Sequence, residues 1–237
     1  MTTDKQLLNL VKFHIQLFLS KGEDLFSNEN DFRHRLALFL DKSGLYDKIH
    51  LEYKVPGETD EKWCYIDIVV EKGGFFVPIE LKYKRKRIKG TFKRFGEFHV
   101  DMELIAEDGA QHDNRYFFWH DIERIEKWTK NYRWISGGIA VFLTNDNTYE
   151  TSKNSKCSMV ESDQARPGDD DEMTVRKKPV KIVLDQTYGI HWYAANINPI
   201  EGVNDNQPTA FRYCMVCCER NYTPVKNSSL LTYIPKK

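Results

Sequence analysis

Two apolar runs that flank the dipeptide Gly73-Gly74 are the feature that most narrows what this chain can fold into. Residues 63–71 and 75–82 are rich in β-branched and aromatic side chains, and a Gly-Gly pair between such runs is typical of a two-residue hairpin turn. If the two glycines form the loop, Asp67 lies directly opposite Glu80. The sequence therefore predicts a β-hairpin that carries two carboxylates on one face.

The predicted pairing of Asp67 with Glu80 is electrostatically costly. Counting outward from the turn makes it a non-hydrogen-bonded pair, with Cα atoms about 4.5 Å apart. Two like charges at this distance are tolerated if one carboxyl keeps its proton through a raised pKa, or if a divalent cation lies between them. We favour the cation, because two carboxylates suit a hard ion such as Mg²⁺.

A plainer interpretation places both acids on a solvated strand face. The other residues predicted on that face argue against it, because they are largely apolar: Tyr65, Val69, Phe76 and Pro78. The opposite face is predicted to be an unbroken apolar surface formed by Ile66, Ile68, Val70, Val77, Ile79 and Leu81. Burial of this surface fixes the register, since a slip by one residue would bury the two acids instead.

The spacing of Asp67, twelve further residues and then Glu80-Leu81-Lys82, set between two hydrophobic strands, resembles the PD-(D/E)xK motif of the restriction-endonuclease-like superfamily. Ile66 stands where that motif usually has proline. The resemblance implies an α/β sandwich with a central mixed sheet flanked by helices, followed here by C-terminal strands. It also implies a Mg²⁺-dependent nuclease, with Mn²⁺ as a substitute ion, that hydrolyses phosphodiester bonds, with DNA favoured over RNA.

The same resemblance assigns roles to the motif residues. Asp67 and Glu80 would hold the metal ion together with the main-chain carbonyl of Leu81. Lys82 would lie beside the attacking water, either as a general base with a depressed pKa or as a group that orients the water and stabilises the transition state. The plain alternative for Lys82 is an ordinary solvated strand lysine.

Segments on both sides of the hairpin extend the resemblance over residues 27–146. Upstream, Glu29 is the nearest match to a glutamate that faces the metal, with Asp31 as its rival, although we favour a first-turn acid that complements the helix dipole. Downstream, Gln111 and Arg115 lie four residues apart in a helical pattern, so they share a face and could reach one substrate phosphate. The alternative pairs Arg115 with a surface acid.

A dense basic run begins at the proposed catalytic lysine. The chain carries 35 basic and 35 acidic residues, so its net charge gives no support to nucleic-acid binding. From residue 82 to residue 94, however, there are eight basic residues and no acid. A run of this density predicts contacts with a nucleic-acid backbone, and the residues that would make them are Lys84, Arg85, Lys86, Arg87, Lys89, Lys93 and Arg94. The alternative is a solvated strand extension that prevents edge pairing.

With 237 residues and 41% hydrophobic content, the chain can bury one sizeable core, and we predict a single domain over 1–237. Beyond the hairpin, periodicity predicts helices over 3–21, 28–42 and 110–126 and strands over 46–55, 137–146, 180–197 and 211–220. Thr3 and Gln6 form a possible capping box. Residues 92–108 fit either a short strand or a loop. The polar stretch 149–178 is predicted to be an exposed insertion between the core, 27–146, and the C-terminal strands, 180–220.

The pair Cys214-x-x-Cys217 suggests a zinc site, but structural zinc requires four ligands and no second pair at matched spacing exists. We predict instead a buried strand in which cysteine is a small apolar filler. No stretch approaches the ~20 apolar residues of a membrane span, and the N-terminus lacks the layout of a secretory signal. The expected location is therefore the cytoplasm, without a membrane partner.

Three functions follow from these observations. The first is a Mg²⁺-dependent nuclease whose partner is nucleic acid. The second is a catalytically inactive nuclease-like module that binds nucleic acid or protein, because a fold does not settle a function. The third is a metal-dependent hydrolase of another phosphate ester, which would leave the basic run without a role. The sequence does not determine whether the protein forms a homo-oligomer.

Overall fold

The computed structural model describes residues 4–57, 63–151, 157–165, 172–175 and 178–220. Along the chain its elements are α1 Asp4–Ser20, α2 Glu29–Lys42, β1 Lys48–Pro56, β2 Trp63–Lys72, β3 Phe75–Lys84, β4 Ile88–Arg94, β5 Glu97–Ile105, α3 Gln111–Asn131, β6 Gly137–Thr144, α4 Thr148–Thr151, β7 Ser162–Ala165, β8 Glu172–Val175, β9 Lys178–Lys181, β10 Tyr188–Ile190, β11 Trp192–Ala194 and β12 Arg212–Glu219. Thr3 of the predicted capping box lies outside the described residues.

A six-stranded sheet with the order β1-β2-β3-β6-β12-β11 forms the centre of the molecule. β3 and β6 run parallel, and the other four neighbouring pairs are antiparallel. A parallel pair needs a long crossover, which α3 supplies here. The predicted α/β class with a central mixed sheet is therefore confirmed.

Helices cover both faces of this sheet. The apolar side of α1, which lies within the helix predicted over 3–21, is buried with α2 against one face, and Ile15, Phe18 and Phe32 belong to the same core as Ile79. The other face is covered by α3, and Phe118 and Trp128 belong to that second core. β6 is buried at all of its positions because it lies between the two layers.

The predicted hairpin turn is confirmed. Its two loop glycines have φ values of 58° and 77°, which glycine adopts without steric cost. Lys72 pairs with Phe75, and the ladder continues in the predicted register to Ile68 and Ile79. The prediction that Ile66 shares one apolar face with Ile68 is wrong, because Ile66 packs in the core on the α3 side and Ile68 packs in the core on the α1 side. The side-chain alternation of β2 therefore changes at Asp67.

Three segments differ from expectation. Residues 92–108 are mainly strand, because β4 and β5 form a separate antiparallel hairpin. The strand predicted over 180–197 is interrupted, since β10 pairs with β7 whereas β11 joins the central sheet. The prediction of an exposed insertion over 149–178 is wrong for three apolar side chains that are buried in the α3-side core: Tyr149, Cys157 and Met159.

None of the helices in the described part of the chain is long and apolar enough to cross a membrane.

Candidate active site

The candidate site lies where β2 separates from β3. The ladder between them ends at Ile68 and Ile79, so the predicted Asp67–Glu80 pair is not part of it. Beyond this point the main-chain N–H of Leu81 donates to the Oδ2 atom of Asp67 over 2.8 Å. A carboxylate thus satisfies a buried donor for which the separating strand no longer supplies a carbonyl.

Arg33 of α2 contacts the other carboxylate oxygen of Asp67. Its Nη1 atom lies 3.2 Å from Oδ1 of Asp67, and its Nη2 atom donates to Glu52 over 2.8 Å. Glu52 lies across from Asp67 on β1, between the paired residues Leu51 and Tyr53, and its φ of 48° is in the left-handed region. Asp67 is therefore fixed by one main-chain donor and one guanidinium.

Glu80 lies on β3 beneath α3 and is only 3% exposed. Nη2 of Arg124 donates to Oε1 of Glu80 over 2.9 Å and to Oδ1 of Asp121 over 2.6 Å. Burial raises the pKa of Glu80 well above its ordinary value; Asp121 and Asp67 add to this effect, and Arg124 and Lys82 oppose it. This direction is the one expected if the repulsion between the acids is relieved by a carboxyl that keeps its proton.

Lys82 completes the group. Its Nζ atom lies 2.5 Å from Oδ2 of Asp121. Burial by itself would lower the pKa of Lys82, but the neighbouring Asp121, Glu80 and Glu29 carboxylates outweigh burial and raise it. This direction argues against a general base with a depressed pKa and favours a protonated ammonium group that donates hydrogen bonds.

Asp121 and Arg124 were not predicted from the sequence as site residues. They lie three positions apart on α3, on the stripe that also carries Phe118, Ile125 and Trp128. Charged residues on the buried side of a helix are rare unless they are paired. The position of Asp121 and Arg124 in the sequence could therefore have indicated that they take part in a buried site. Together with Glu80 and Lys82 they form a cluster of two acids and two bases between α3 and the sheet.

Glu29 lies at the first turn of α2 and turns toward β3. Its Oε2 atom accepts a hydrogen bond of 2.7 Å from the main-chain N–H of Tyr83 and lies 3.4 Å from Nζ of Lys84. Its rival Asp31 turns the other way and accepts from the main-chain N–H of Ser27 over 2.8 Å. Glu29 is therefore the acid that the structure brings toward the hairpin, where it joins α2 to the strand of Glu80 and Lys82.

Gln111 and Arg115 point toward the end of β6 and contact groups there. The Nε2 atom of Gln111 donates to Asp146 over 3.2 Å, and Nη2 of Arg115 donates to the carbonyl of Thr148 over 2.7 Å. Arg115 is buried and its guanidinium lies over the ring of Tyr149. The guanidinium of Arg115 is turned into the protein, which disfavours the predicted phosphate contact, and within the described part of the chain it forms no ion pair with a surface acid.

Most of the basic run is engaged in ion pairs. These pairs are Lys84 with Glu29, Arg85 with Asp108, Lys86 with Asp146 and Arg87 with Glu103. The run does not simply extend β3, because β3 ends at Lys84, residues 85–87 connect it to β4, and the remaining basic residues lie on the β4–β5 hairpin. Lys89, Lys93 and Arg94 lie on that hairpin, and Lys93 and Arg94 are exposed near its turn.

The donor set fits Mg²⁺ in kind. Asp67, Glu80 and the Leu81 carbonyl are hard oxygen donors, and Mg²⁺ is commonly held by one or two carboxylates while water and substrate phosphate fill the other positions. The described residues contain no group of three His, Cys, Asp or Glu side chains placed to hold a metal ion. Both oxygens of Asp67 already accept a hydrogen bond, one from Arg33 and one from the Leu81 N–H, and one oxygen of Glu80 accepts from Arg124. Each carboxylate oxygen has two lone pairs, so both acids keep lone pairs that a metal ion could use.

The cysteines of β12 occupy the predicted strand. Cys214 and Cys218 are buried in the core on the α3 side, whereas Cys217 packs against the core on the α1 side. Cys214 and Cys217 therefore lie on opposite faces of the sheet and cannot ligate one zinc ion. Burial also raises the pKa of Cys217 to about 11, which disfavours the thiolate that zinc requires.

Neither a protein-family profile, nor a curated protein sequence, nor a solved structure matches this chain.

Proposed function

We propose that this protein is a metal-dependent nuclease of the restriction-endonuclease-like class that hydrolyses phosphodiester bonds, with DNA as the favoured substrate. The observation that supports this most is the arrangement of Asp67, Glu80 and Lys82 around the point where β2 and β3 separate. Burying ionisable groups with strongly shifted pKa values is costly, and such groups cluster at functional sites.

Each residue of the site has a specific task in this proposal. Asp67, Glu80 and the Leu81 carbonyl would hold Mg²⁺, which when bound activates water and stabilises charge that develops on the phosphate. Lys82 keeps its proton near neutral pH because its pKa is raised, so it orients the water or a phosphate oxygen and neutralises charge in the transition state. Asp121 is a positioning residue, since its ion pair fixes the ammonium group of Lys82.

A catalytically inactive nucleic-acid-binding module is the second candidate, and one observation favours it. Arg33 and Arg124 already place a positive charge on each of the two acids. A site whose repulsion is relieved by arginines does not need a metal ion to be stable. The two candidates differ in whether Asp67 is needed for a reaction or only for the structure.

A cleavage assay separates the two candidates. Purified protein is incubated with supercoiled plasmid and single-stranded DNA in Mg²⁺ or Mn²⁺, beside the variants Asp67→Ala and Asp185→Ala. Asp185 is a matched control because it is an exposed aspartate in a surface ion pair with Lys130. We expect the parent and Asp185→Ala to cleave and Asp67→Ala to lose cleavage.

Cleavage by Asp67→Ala at the parent rate would show that the activity belongs to a contaminating nuclease. If none of the three proteins cleaves either substrate while the parent still binds DNA, the inactive module is the better description. Circular dichroism of Asp67→Ala checks that its loss of cleavage is not a loss of folding, because Asp67 also satisfies the Leu81 N–H.

A further inference from the structure

A groove lined by aromatic side chains lies next to the candidate site, on the α3 side of the sheet. Its volume is about 300 Å³, at the lower end of the range for small-molecule sites. Ile66 and Pro78 line it. Ile66 directly precedes Asp67, and Pro78 lies two residues before Glu80, so the groove begins about 7 Å along the strands from the acids.

The walls of the groove are fixed by main-chain hydrogen bonds. The N–H of Phe76 donates to the carbonyl of Trp134 over 2.9 Å, and the N–H of Ser136 donates to the carbonyl of Phe76 over 2.9 Å. Tyr132 and Trp134 are 42% and 47% exposed, so parts of their rings remain open to solvent. The groove is thus formed before any ligand arrives, which lowers the entropic cost of binding.

One polar atom of the groove lacks a partner. Trp128 lines the groove and is 1% exposed, and its Nε1–H has no acceptor among the residues that the structure describes. A buried donor without an acceptor costs free energy, and native proteins rarely leave one. An acceptor atom on a bound ligand would satisfy this donor.

Cationic side chains accompany the aromatic rings. The guanidinium carbon of Arg133 lies 4.2 Å from the centre of the Trp134 ring, and Lys54 also lines the groove. The guanidinium carbon of Arg124 lies 5.6 Å from the Trp128 ring while the same side chain contacts Glu80. The groove is therefore connected to the candidate site through one residue. Aromatic planes with cations beside them are the chemistry that binds an unpaired nucleic-acid strand, because bases stack and phosphates pair.

We propose that this groove binds an unpaired nucleobase of a nucleic-acid strand whose phosphate lies at Asp67, Glu80 and Lys82. The inference rests on the proposed nuclease function and names its substrate class as single-stranded or locally unpaired nucleic acid. The rings of Tyr132 and Trp134 stack with the base, and a small movement of the buried Trp128 side chain would bring its indole N–H to an acceptor on the edge of the base.

Binding in the absence of metal tests this inference separately from cleavage. Fluorescently labelled single-stranded DNA, single-stranded RNA and duplex DNA of one sequence are titrated in EDTA, and anisotropy gives each Kd. The variants are Trp134→Ala, Tyr132→Ala and Trp128→Phe. The control is Tyr65→Ala, which removes an exposed ring that pairs with Lys54 on β1 and does not line the groove.

We expect the parent to bind single strands more tightly than the duplex. Trp134→Ala and Tyr132→Ala should each weaken single-strand binding about 10-fold, the typical effect of losing one stacking partner. Trp128→Phe keeps the ring and loses the donor, so a smaller loss of a few-fold is expected. Tyr65→Ala should stay within about two-fold of the parent. Comparing DNA with RNA shows which strand the groove prefers.

Duplex binding as tight as single-strand binding would overturn the inference, as would parent-like affinity in Trp134→Ala and Tyr132→Ala. Weakened binding in only one of these two variants, with an unchanged circular dichroism spectrum, would still support a base in the groove. Binding and cleavage test different proposals. If Trp134→Ala and Tyr132→Ala weaken binding but the parent does not cleave, the nuclease function is refuted and base binding in the groove stands. If the parent cleaves but these variants bind as the parent does, only base binding in the groove is refuted.

Discussion

Replacing Arg124 by methionine tests the electrostatic account of the site most directly. Arg124 contacts both Glu80 and Asp121, and each of these acids is 3% exposed. Methionine keeps much of the volume but removes the only charge that touches both acids among the described residues. The variant therefore leaves Lys82 to face two buried carboxylates.

The expected loss of stability follows from that imbalance. Removing one partner of a buried ion pair typically costs about 3–5 kcal/mol. We expect the lower end, about 3 kcal/mol, because Lys82 still pairs with Asp121 and the raised pKa of Glu80 allows it to accept a proton. For a chain of this length that loss corresponds to a fall in melting temperature of about 6–12 °C.

Magnesium should reverse this loss if Asp67 and Glu80 hold the ion. A ligand at 100 times its Kd stabilises the folded state by about 2.7 kcal/mol, which is close to the expected deficit. Thermal unfolding with EDTA or with MgCl₂ is measured for the parent, for Arg124→Met and for Arg124→Met combined with Asp67→Asn. We expect Mg²⁺ to restore the single variant and to have little effect on the double variant.

The control for the stability change is Lys130→Met, which breaks an exposed ion pair with Asp185 and should shift the melting temperature by less than about 2 °C. A melting temperature of Arg124→Met equal to that of the parent would refute the view that Arg124 compensates buried charge. Destabilisation that Mg²⁺ does not reverse would refute a metal site at Asp67 and Glu80.

Three further changes test other parts of the molecule. Lys82→Met should lower Mg²⁺-dependent cleavage at least about 100-fold, far more than the loss of DNA affinity that removing one cation beside the phosphate causes, and a fall in cleavage no larger than the fall in affinity would contradict a catalytic role. Burial alone would raise the pKa of Asp146, but hydrogen bonds from Thr148 and other groups outweigh burial and lower the pKa. The stability that ionised Asp146 provides is therefore present above about pH 4 and is lost as the pH falls further. Urea unfolding of the parent and Asp146→Asn from pH 3 to 7 should thus show a gap that closes on acidification; a gap independent of pH would be contrary to this account. Gly138→Ala should cost about 1–3 kcal/mol in urea unfolding, because the added Cβ would come within 2.5 Å of Ile125, and unchanged stability would mean that α3 can move away.

The parts of the fold that local sequence determines could be predicted. The hairpin turn follows from two adjacent glycines between β-rich runs, and its register follows from burial of one face. The helix α1 and the α/β class follow from hydrophobic periodicity in the same way. These features need no knowledge of distant contacts.

The rest depends on contacts between residues that are far apart in the chain. Arg124 is 44 residues from Glu80, and Lys84 is 55 residues from Glu29, so no local pattern indicates either pair. For the same reason the sequence did not show that most basic residues between 84 and 94 form ion pairs with distant acids. The change of alternation at Asp67, which moves Ile66 to the other core, coincides with the left-handed backbone of Glu52 on the neighbouring strand and could not be read from β2 alone.

The hydrogen bond from Leu81 to Asp67 makes this acid part of the scaffold as well as part of the candidate centre. The carboxylate of Asp67 replaces a main-chain acceptor that β2 no longer supplies to β3. The protein would therefore need a hydrogen-bond acceptor at position 67 even if it had no catalytic activity. An aspartate where two strands separate therefore indicates a structural role before a catalytic one. Lys82, which contacts Asp121 through its side chain, is the better indicator of catalytic activity.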